Sequence, residues 1–449
     1  MPTVLRLKPE EIDTVEKRGK YTVSVIGCGE KGVLYAVAFA EAGFKVACTD
    51  ADQSLVKRLA RGKTPFAEAE IEAKLKSPVR TGQLSATSEI KNAVLQSDIV
   101  IITIAAKIDD KKNPYYSEVE NNCKQVGEAL HRGTLVIYGG IAGFGFTEGI
   151  IKETLENTSG LKAGEDFGLA YSPVQVSNGQ TIEISNQELT VAANDKNSLY
   201  AASTVLRTVT KKGVKQILNV KAAELAALFA VARRDANVAL ANELAILCEN
   251  AGIDYFEAVK LLVPDAHENF APAITAEDGR NEAYLLLENA ENLNTKLRLT
   301  ALARQINEDM ARHVVNLAQD GLRSCGKTLR RARVAVLGTV RPKTKAEALV
   351  KLLEAKGAKV SIYDPLSAKN ETSETTRAFK RSLNEAVEGA SCIVILVEHD
   401  PFKHLNLKKL RTVMKMPAAI VDLTGKIEIQ KVEKEGFVYR GLGRGVEKK

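Results

Sequence analysis

Tryptophan is absent from the 449 residues, and aromatic residues make up only 5% of the chain. Base stacking, the main sequence-tolerant grip on single-stranded nucleic acid, therefore has little to work with. Blocks of positive charge are missing too. The net charge is +7, and apart from Lys211-Lys212, Arg330-Arg331 and Lys448-Lys449 the basic residues are scattered. A solvated surface accounts for that spread, and no nucleic-acid partner is expected. No apolar run reaches the ~18 residues that signal a membrane span. The opening stretch MPTVLRLKPEEIDTVEKRGK is charged throughout and lacks the apolar core of a signal peptide. A cytoplasmic protein without a membrane partner is the expectation. Six cysteines (Cys28, Cys48, Cys123, Cys248, Cys325, Cys392) form no C-x-x-C pair and have no histidine at metal-ligand spacing. They read as reduced, mostly core-filling thiols, with no metal site.

What is present is organised around residues 21–50, YTVSVIGCGEKGVLYAVAFAEAGFKVACTD. Val23, Val25 and Ile26 read as a buried parallel strand running into Gly27-Cys28-Gly29-Glu30-Lys31-Gly32. An alanine-rich helical pattern and a second apolar run ending at Asp50 follow. Strand, G-x-G-x-x-G turn, helix, strand and acid stand in the order of a dinucleotide site. Gly27 permits the tight turn, Gly29 lets the backbone approach a pyrophosphate, and Gly32 lets helix and strand pack closely. The helix N-terminus offers N–H groups and partial positive charge to the phosphates. Glu30 and Lys31 place charged side chains in the loop. Asp50, eighteen residues after Gly32, is placed to accept from a ribose diol and to repel a 2′-phosphate, which favours NAD over NADP. Lys57 and Arg58, in the following helix, pull the other way.

A chain of this length predicts two or three domains. Across residues 21–215, strands at 97–104, 134–138, 169–173 and 188–192 alternate with helical patterns, predicting one doubly wound parallel sheet. From residue 222 to 251 almost no breaker occurs, so a long helix of roughly 45 Å is expected there. Such a helix links domains or packs against a partner subunit. Further helices are expected at 255–262, 282–292 and 297–322. A second alternating pattern begins at residue 333, and its first turn carries a single glycine, Gly338. The reading is α/β: two doubly wound Rossmann-like domains joined by a long central helix. Residues 1–20 are an N-terminal extension, 21–215 the NAD-binding domain, 216–328 a helical central and dimerisation region, and 329–449 a smaller α/β domain.

This organisation resembles the nucleotide-sugar 6-dehydrogenases, the UDP-glucose and UDP-N-acetylmannosamine dehydrogenases. The motifs that carry the resemblance are residues 25–32, 169–173, 234–249 (RDANVALANELAILCE), 284–293, 362–365 and 439–445 (YRGLGRG). It implies NAD in the N-terminal domain, a nucleotide sugar held with the help of the C-terminal one, and a homodimer built on the long helix. It also implies a four-electron oxidation of a C6 alcohol that uses a cysteine, a lysine, an asparagine, a glutamate and a threonine.

Carried over position by position, that catalytic set is missing. The cysteine of the G-x-G-x-G-G-x-C-x-P loop falls on Asp278, within APAITAEDGR at 271–280. The lysine and asparagine of the K-L-x-x-N helix fall on Ala227 and Val231. The glutamate after Ser-Pro falls on Val174, with Gln175 where an arginine is usual, and the threonine of the S-T-V turn falls on Ile141. The D-D-x-R-x-S-P segment is shortened to RPKTK at 341–345. Three readings stand open. The chain is a non-catalytic homologue that binds nucleotide or a partner such as an intact paralogous dehydrogenase. Alternatively, it is an oxidoreductase of altered mechanism using Asp278, Glu277 or Glu282. The third is a scaffold that binds no nucleotide.

Overall fold

The apolar run that opens the glycine-rich stretch is β1 (Thr22–Ile26), in which Val23, Val25 and Ile26 are fully buried. A strand covered on both faces has no polar side to alternate with, so it reads as a continuous apolar run. The computed structural model describes residues 4–65, 69–109, 111–174, 183–261, 271–273, 280–340, 344–365, 378–397, 402 and 404–445. They fall into two compact units, Met1–Val231 with Asn281–Lys296, and Ala232–Arg280 with Leu297–Lys449.

In the first unit β1 sits inside an eight-stranded sheet. On one side lie β2 (Lys45–Thr49) and β3 (Leu84–Thr87). On the other side β4 (Ile99–Ile102) comes next. After it the chain makes a small hairpin of β5 (Lys107–Ile108) and β6 (Pro114–Tyr115). The sheet continues with β7 (Leu135–Tyr138), β8 (Gly168–Tyr171), β9 (Leu189–Ala192) and β10 (Val214–Ile217). Val23 pairs with Val46 on one neighbour and with Ile99 on the other, both in parallel. The order reverses between β1 and β4, which makes the topological switch point at their carboxyl ends.

The sheet departs from the expected parallel arrangement at one place. β9 meets β8 through the antiparallel pair Tyr171–Ala192, and β10 then runs parallel to β9. A parallel return needs a crossover of a dozen or more residues, usually helical. The described part of this connection holds only the single turn Ile184–Asn186. The edge strands β3 and β10 were not expected from the sequence. Both are four residues long and partly exposed, so they lack the apolar run that marks an inner strand.

The second unit carries an all-parallel sheet in the order β12-β11-β13-β14-β15. Its strands are β11 (Arg333–Leu337), β12 (Lys359–Tyr363), β13 (Cys392–Ile395), β14 (Ala419–Asp422) and β15 (Val438–Gly441). The helix Arg298–Ser324 packs on β14 and β15, and Gly321 lets it come close, since a Cβ there would lie 2.9 Å from that of Ala419. The YRGLGRG motif ties β15 to the surrounding helices. Arg440 donates to Asp320 at 2.6 Å, the Gly443 amide donates to Glu249 at 2.8 Å, and Arg444 pairs with Asp254.

The long helix runs Val220–Ala251, and its residues are shared between the two units. Phe229, Leu240 and Leu247 on it are 56%, 47% and 60% exposed. At 3.6 residues per turn they fall within roughly 20° of one another, on a single stripe.

Inside the second unit, Arg304 is 2% exposed and donates to Asp235 at 2.9 Å. Asn307 donates to the same carboxylate and accepts from Asn242. Burial pushes the Asp235 carboxyl above its ordinary value, and the guanidinium pulls it back. Removing one member of a buried pair strands the other charge and costs about 3–5 kcal/mol. Arg304→Met is therefore expected to destabilise this unit by that amount in urea unfolding, and Asp235→Leu with Arg304→Met to recover most of it. A loss below about 1 kcal/mol for the single variant would contradict the assignment.

Candidate dinucleotide-binding site

At the carboxyl end of β1 the chain turns sharply. Gly27 adopts φ +88°, and a Cβ built on it would lie 2.6 Å from Ile104 Cγ1, so both backbone and space require glycine. Its amide donates to the Thr49 carbonyl at 2.8 Å, and its carbonyl accepts from the Thr103 hydroxyl. The helix Glu30–Glu41 starts immediately after, capped by Gly29 in extended conformation with no side-chain cap. A Cβ on Gly32 would collide with the Gly27 carbonyl oxygen, while a Cβ on Gly29 would meet nothing within 4 Å. Gly32 thus closes the helix onto the strand, and Gly29 leaves room for a ligand at the helix N-terminus.

Asp50 follows β2 and is held by the same loop. One carboxylate oxygen accepts from the Cys28 amide at 2.7 Å, the other from the Asp52 amide at 2.9 Å. Asp52 in turn caps the helix Gln53–Leu59, which carries Lys57 and Arg58. Lys31 lies 3.5 Å from Glu282, a partner from the residues 281–296 that complete this unit. The Cys28 thiol is fully buried and donates to the Val25 and Thr49 carbonyls, and the neighbouring Cys48 thiol together with burial pushes its pKa well up. It is inert as a nucleophile at neutral pH.

The remaining positions are apolar and mostly buried. Ile141 lies beyond β7 and is 8% exposed; Val174 lies beyond β8 and is 1% exposed. Ala227 and Val231 are four residues apart on the long helix, and therefore on one face of it. Val231 is buried and Ala227 half-buried. Glu277, Asp278, Gln175 and residues 341–343 lie outside the described residues. Among the described residues no group of His, Cys, Asp and Glu is placed to hold a metal ion, and no helix is long and apolar enough to cross a membrane.

Several residues of the site escaped the sequence reading. Tyr35, on the helix Glu30–Glu41, donates its hydroxyl to the Ser172 carbonyl at 2.6 Å. A Cβ on Gly139 would lie 3.0 Å from the Tyr35 ring, and one on Gly140 would lie 2.5 Å from the Ile104 carbonyl and 2.6 Å from the Tyr138 hydroxyl. The Gly-Gly step at 139–140 is crowded: a side chain at 140 has no space, and one at 139 would press on the Tyr35 ring. Glu224, 3% exposed in the long helix, accepts from the Gly145 amide at 2.5 Å and from the Thr147 amide and hydroxyl at 2.8 and 2.6 Å. Burial raises its pKa against those hydrogen bonds. A lone acid in an alanine-rich helix gives no sequence signal for that role.

Three models of the UDP-glucose/GDP-mannose dehydrogenase family match this chain: the NAD binding domain over residues 21–212, the central domain over 221–309 and the UDP binding domain over 341–428. The chain belongs to this family. UDP-N-acetyl-D-mannosamine dehydrogenase of Pyrococcus horikoshii is 29% identical over 435 residues, covering 94% of this chain and 99% of the relative. UDP-glucose 6-dehydrogenase of Rhizobium meliloti is 26% identical over 460 residues, with 94% and 99% covered. The solved UDP-D-ManNAc dehydrogenase structure from P. horikoshii superposes with a TM-score of 0.81 at 28% identity, covering 94% of this chain and 99% of that one. An NDP-N-acetyl-D-galactosaminuronic acid dehydrogenase from Methanosarcina mazei gives 0.72 at 27% identity, with 98% of each chain covered.

NAD is the cofactor of this dehydrogenase fold, and the glycine turn fits it. Gly29 and the amides opening the helix Glu30–Glu41 would hold the pyrophosphate, and Asp50 the ribose diol. Bound NAD supplies a hydride acceptor. Titration is expected to show NAD binding at least about tenfold tighter than NADP, ~1.4 kcal/mol. Equal or tighter NADP affinity would overturn the role given to Asp50.

Proposed function

We propose that this member of the UDP-glucose/GDP-mannose dehydrogenase family binds NAD and has lost the family's oxidation of nucleotide sugars. One observation carries the reading. Ile141, Val174 and Val231, which stand at positions the family resemblance assigns to catalysis, are buried aliphatic residues. Such side chains neither move protons nor stabilise an alkoxide, and catalytic groups that act as a unit lose nearly all their effect together. Asp278, at the cysteine position, could not form a thiohemiacetal. The opposing reading, an altered mechanism on Asp278, Glu277 or Glu282, has less support, because Glu282 is already engaged with Lys31.

Within this proposal, residues 21–215 hold the dinucleotide, residues 216–328 form the central and dimerisation region, and residues 329–449 retain the nucleotide-sugar-binding part. The exposed stripe of Phe229, Leu240 and Leu247 supports a homodimer along the long helix. Light scattering at micromolar protein is expected to report a dimer; a monomer would reject this part.

The catalytic claim has a direct assay. NADH formation from UDP-glucose or UDP-N-acetylmannosamine is expected to be undetectable at neutral to mildly alkaline pH. Asp278→Cys should recover little, because the thiolate would still lack its base and its alkoxide-stabilising lysine. Robust NADH production by the unmodified protein, abolished by Asp278→Ala, would establish a different mechanism on this fold.

A further inference from the structure

A dinucleotide lies across the switch point of a doubly wound sheet, one nucleotide over each half. Here the halves are β1–β3, and β4 with β7 and β8. Their carboxyl ends differ in what they can receive. On the first half, Gly29 has open space at its Cβ position, the helix N-terminus has no side-chain cap, and Asp50 is oriented by two backbone amides. On the second half, Ile104 presses against Gly27, and rings from Tyr35 and Tyr138 close over Gly139 and Gly140. Beyond β7 and β8, Ile141 and Val174 are buried.

The polar atoms on that second half point the same way. The Tyr35 hydroxyl is committed to the Ser172 carbonyl. The Tyr138 hydroxyl and the Ser172 Oγ are fully buried, and among the described residues neither has a hydrogen-bond partner. The Tyr138 hydroxyl lies against the Gly140 backbone. Among the described residues, the side-chain donors and acceptors around the carboxyl ends of β4, β7 and β8 are buried or already paired: Thr103 with the Gly27 carbonyl, Glu224 with Gly145 and Thr147, and Glu282 with Lys31.

We infer that the first unit grips the adenosine-diphosphate half of its ligand and makes no specific contact with the nicotinamide half. The ligand class is then adenosine 5′-diphosphate and its 5′-linked conjugates, and the protein does not distinguish oxidised from reduced dinucleotide. This inference rests on the proposed NAD-binding, non-oxidising reading.

Calorimetric titration of the full-length protein with NAD, NADH, ADP-ribose and nicotinamide mononucleotide tests it. NAD, NADH and ADP-ribose are expected to bind within about threefold of one another, nicotinamide mononucleotide not to bind, and NADH fluorescence to stay unenhanced. A Gly29→Val variant supplies the control. Its backbone, at φ −63° and ψ −168°, is near-extended with negative φ, and a Cβ there meets nothing within 4 Å. Melting temperature should therefore stay put while all three affinities fall together by tenfold or more. NAD or NADH binding tenfold tighter than ADP-ribose, or enhanced NADH fluorescence, overturns the inference and leaves NAD binding intact. Absence of binding by all of them overturns both the inference and the proposed function.

Discussion

A side chain on Gly32 would run into the carbonyl oxygen of Gly27, so the helix Glu30–Glu41 can sit against the end of β1 only because position 32 is glycine. That close approach sets the rest of the first unit. It fixes where the helix N-terminus emerges, and hence where the Cys28 amide meets Asp50 across the loop. It also brings Tyr35, one turn further along the helix, to the Ser172 carbonyl at the end of β8. One backbone contact thus links the phosphate-binding turn to strands on the far side of the switch point.

Much of this was legible in the chain. Inner strands announce themselves because burial on both faces demands continuous apolar runs, as in β4 (IVII) and β7 (LVIY). The long helix announces itself by the absence of breakers. Edge strands β3 and β10 do not, since an exposed edge tolerates Ser85, Lys215 and Gln216 and so looks like loop. The antiparallel join at Tyr171–Ala192 is invisible for another reason: strand direction depends on the connection, and apolar content says nothing about it.

The candidate site divides in the same way. Glycines and the acid after β2 carry local geometric demands that a motif records. Tyr35, Tyr138 and Glu224 do not, because their partners lie far away in sequence: Tyr35 bonds a residue 137 positions on, and Glu224 bonds residues 77 and 79 positions back. A glycine pair such as Gly139-Gly140 carries no local sign of the crowding that Tyr35, Tyr138 and the Ile104 carbonyl impose on it.

That crowding bears on how the lineage can change. A side chain at 140 would put its Cβ 2.5 Å from the Ile104 carbonyl oxygen, and one at 139 would need the Tyr35 ring to give way. Shrinking Tyr35 or Tyr138 beforehand opens a cavity in a packed interior, at about 24 cal/mol per Å³ of void, and leaves the Ile104 carbonyl in the way at 140. Each order of steps passes through a less stable intermediate. Gain of a side chain at this glycine pair is therefore opposed by packing, independently of any selection on activity.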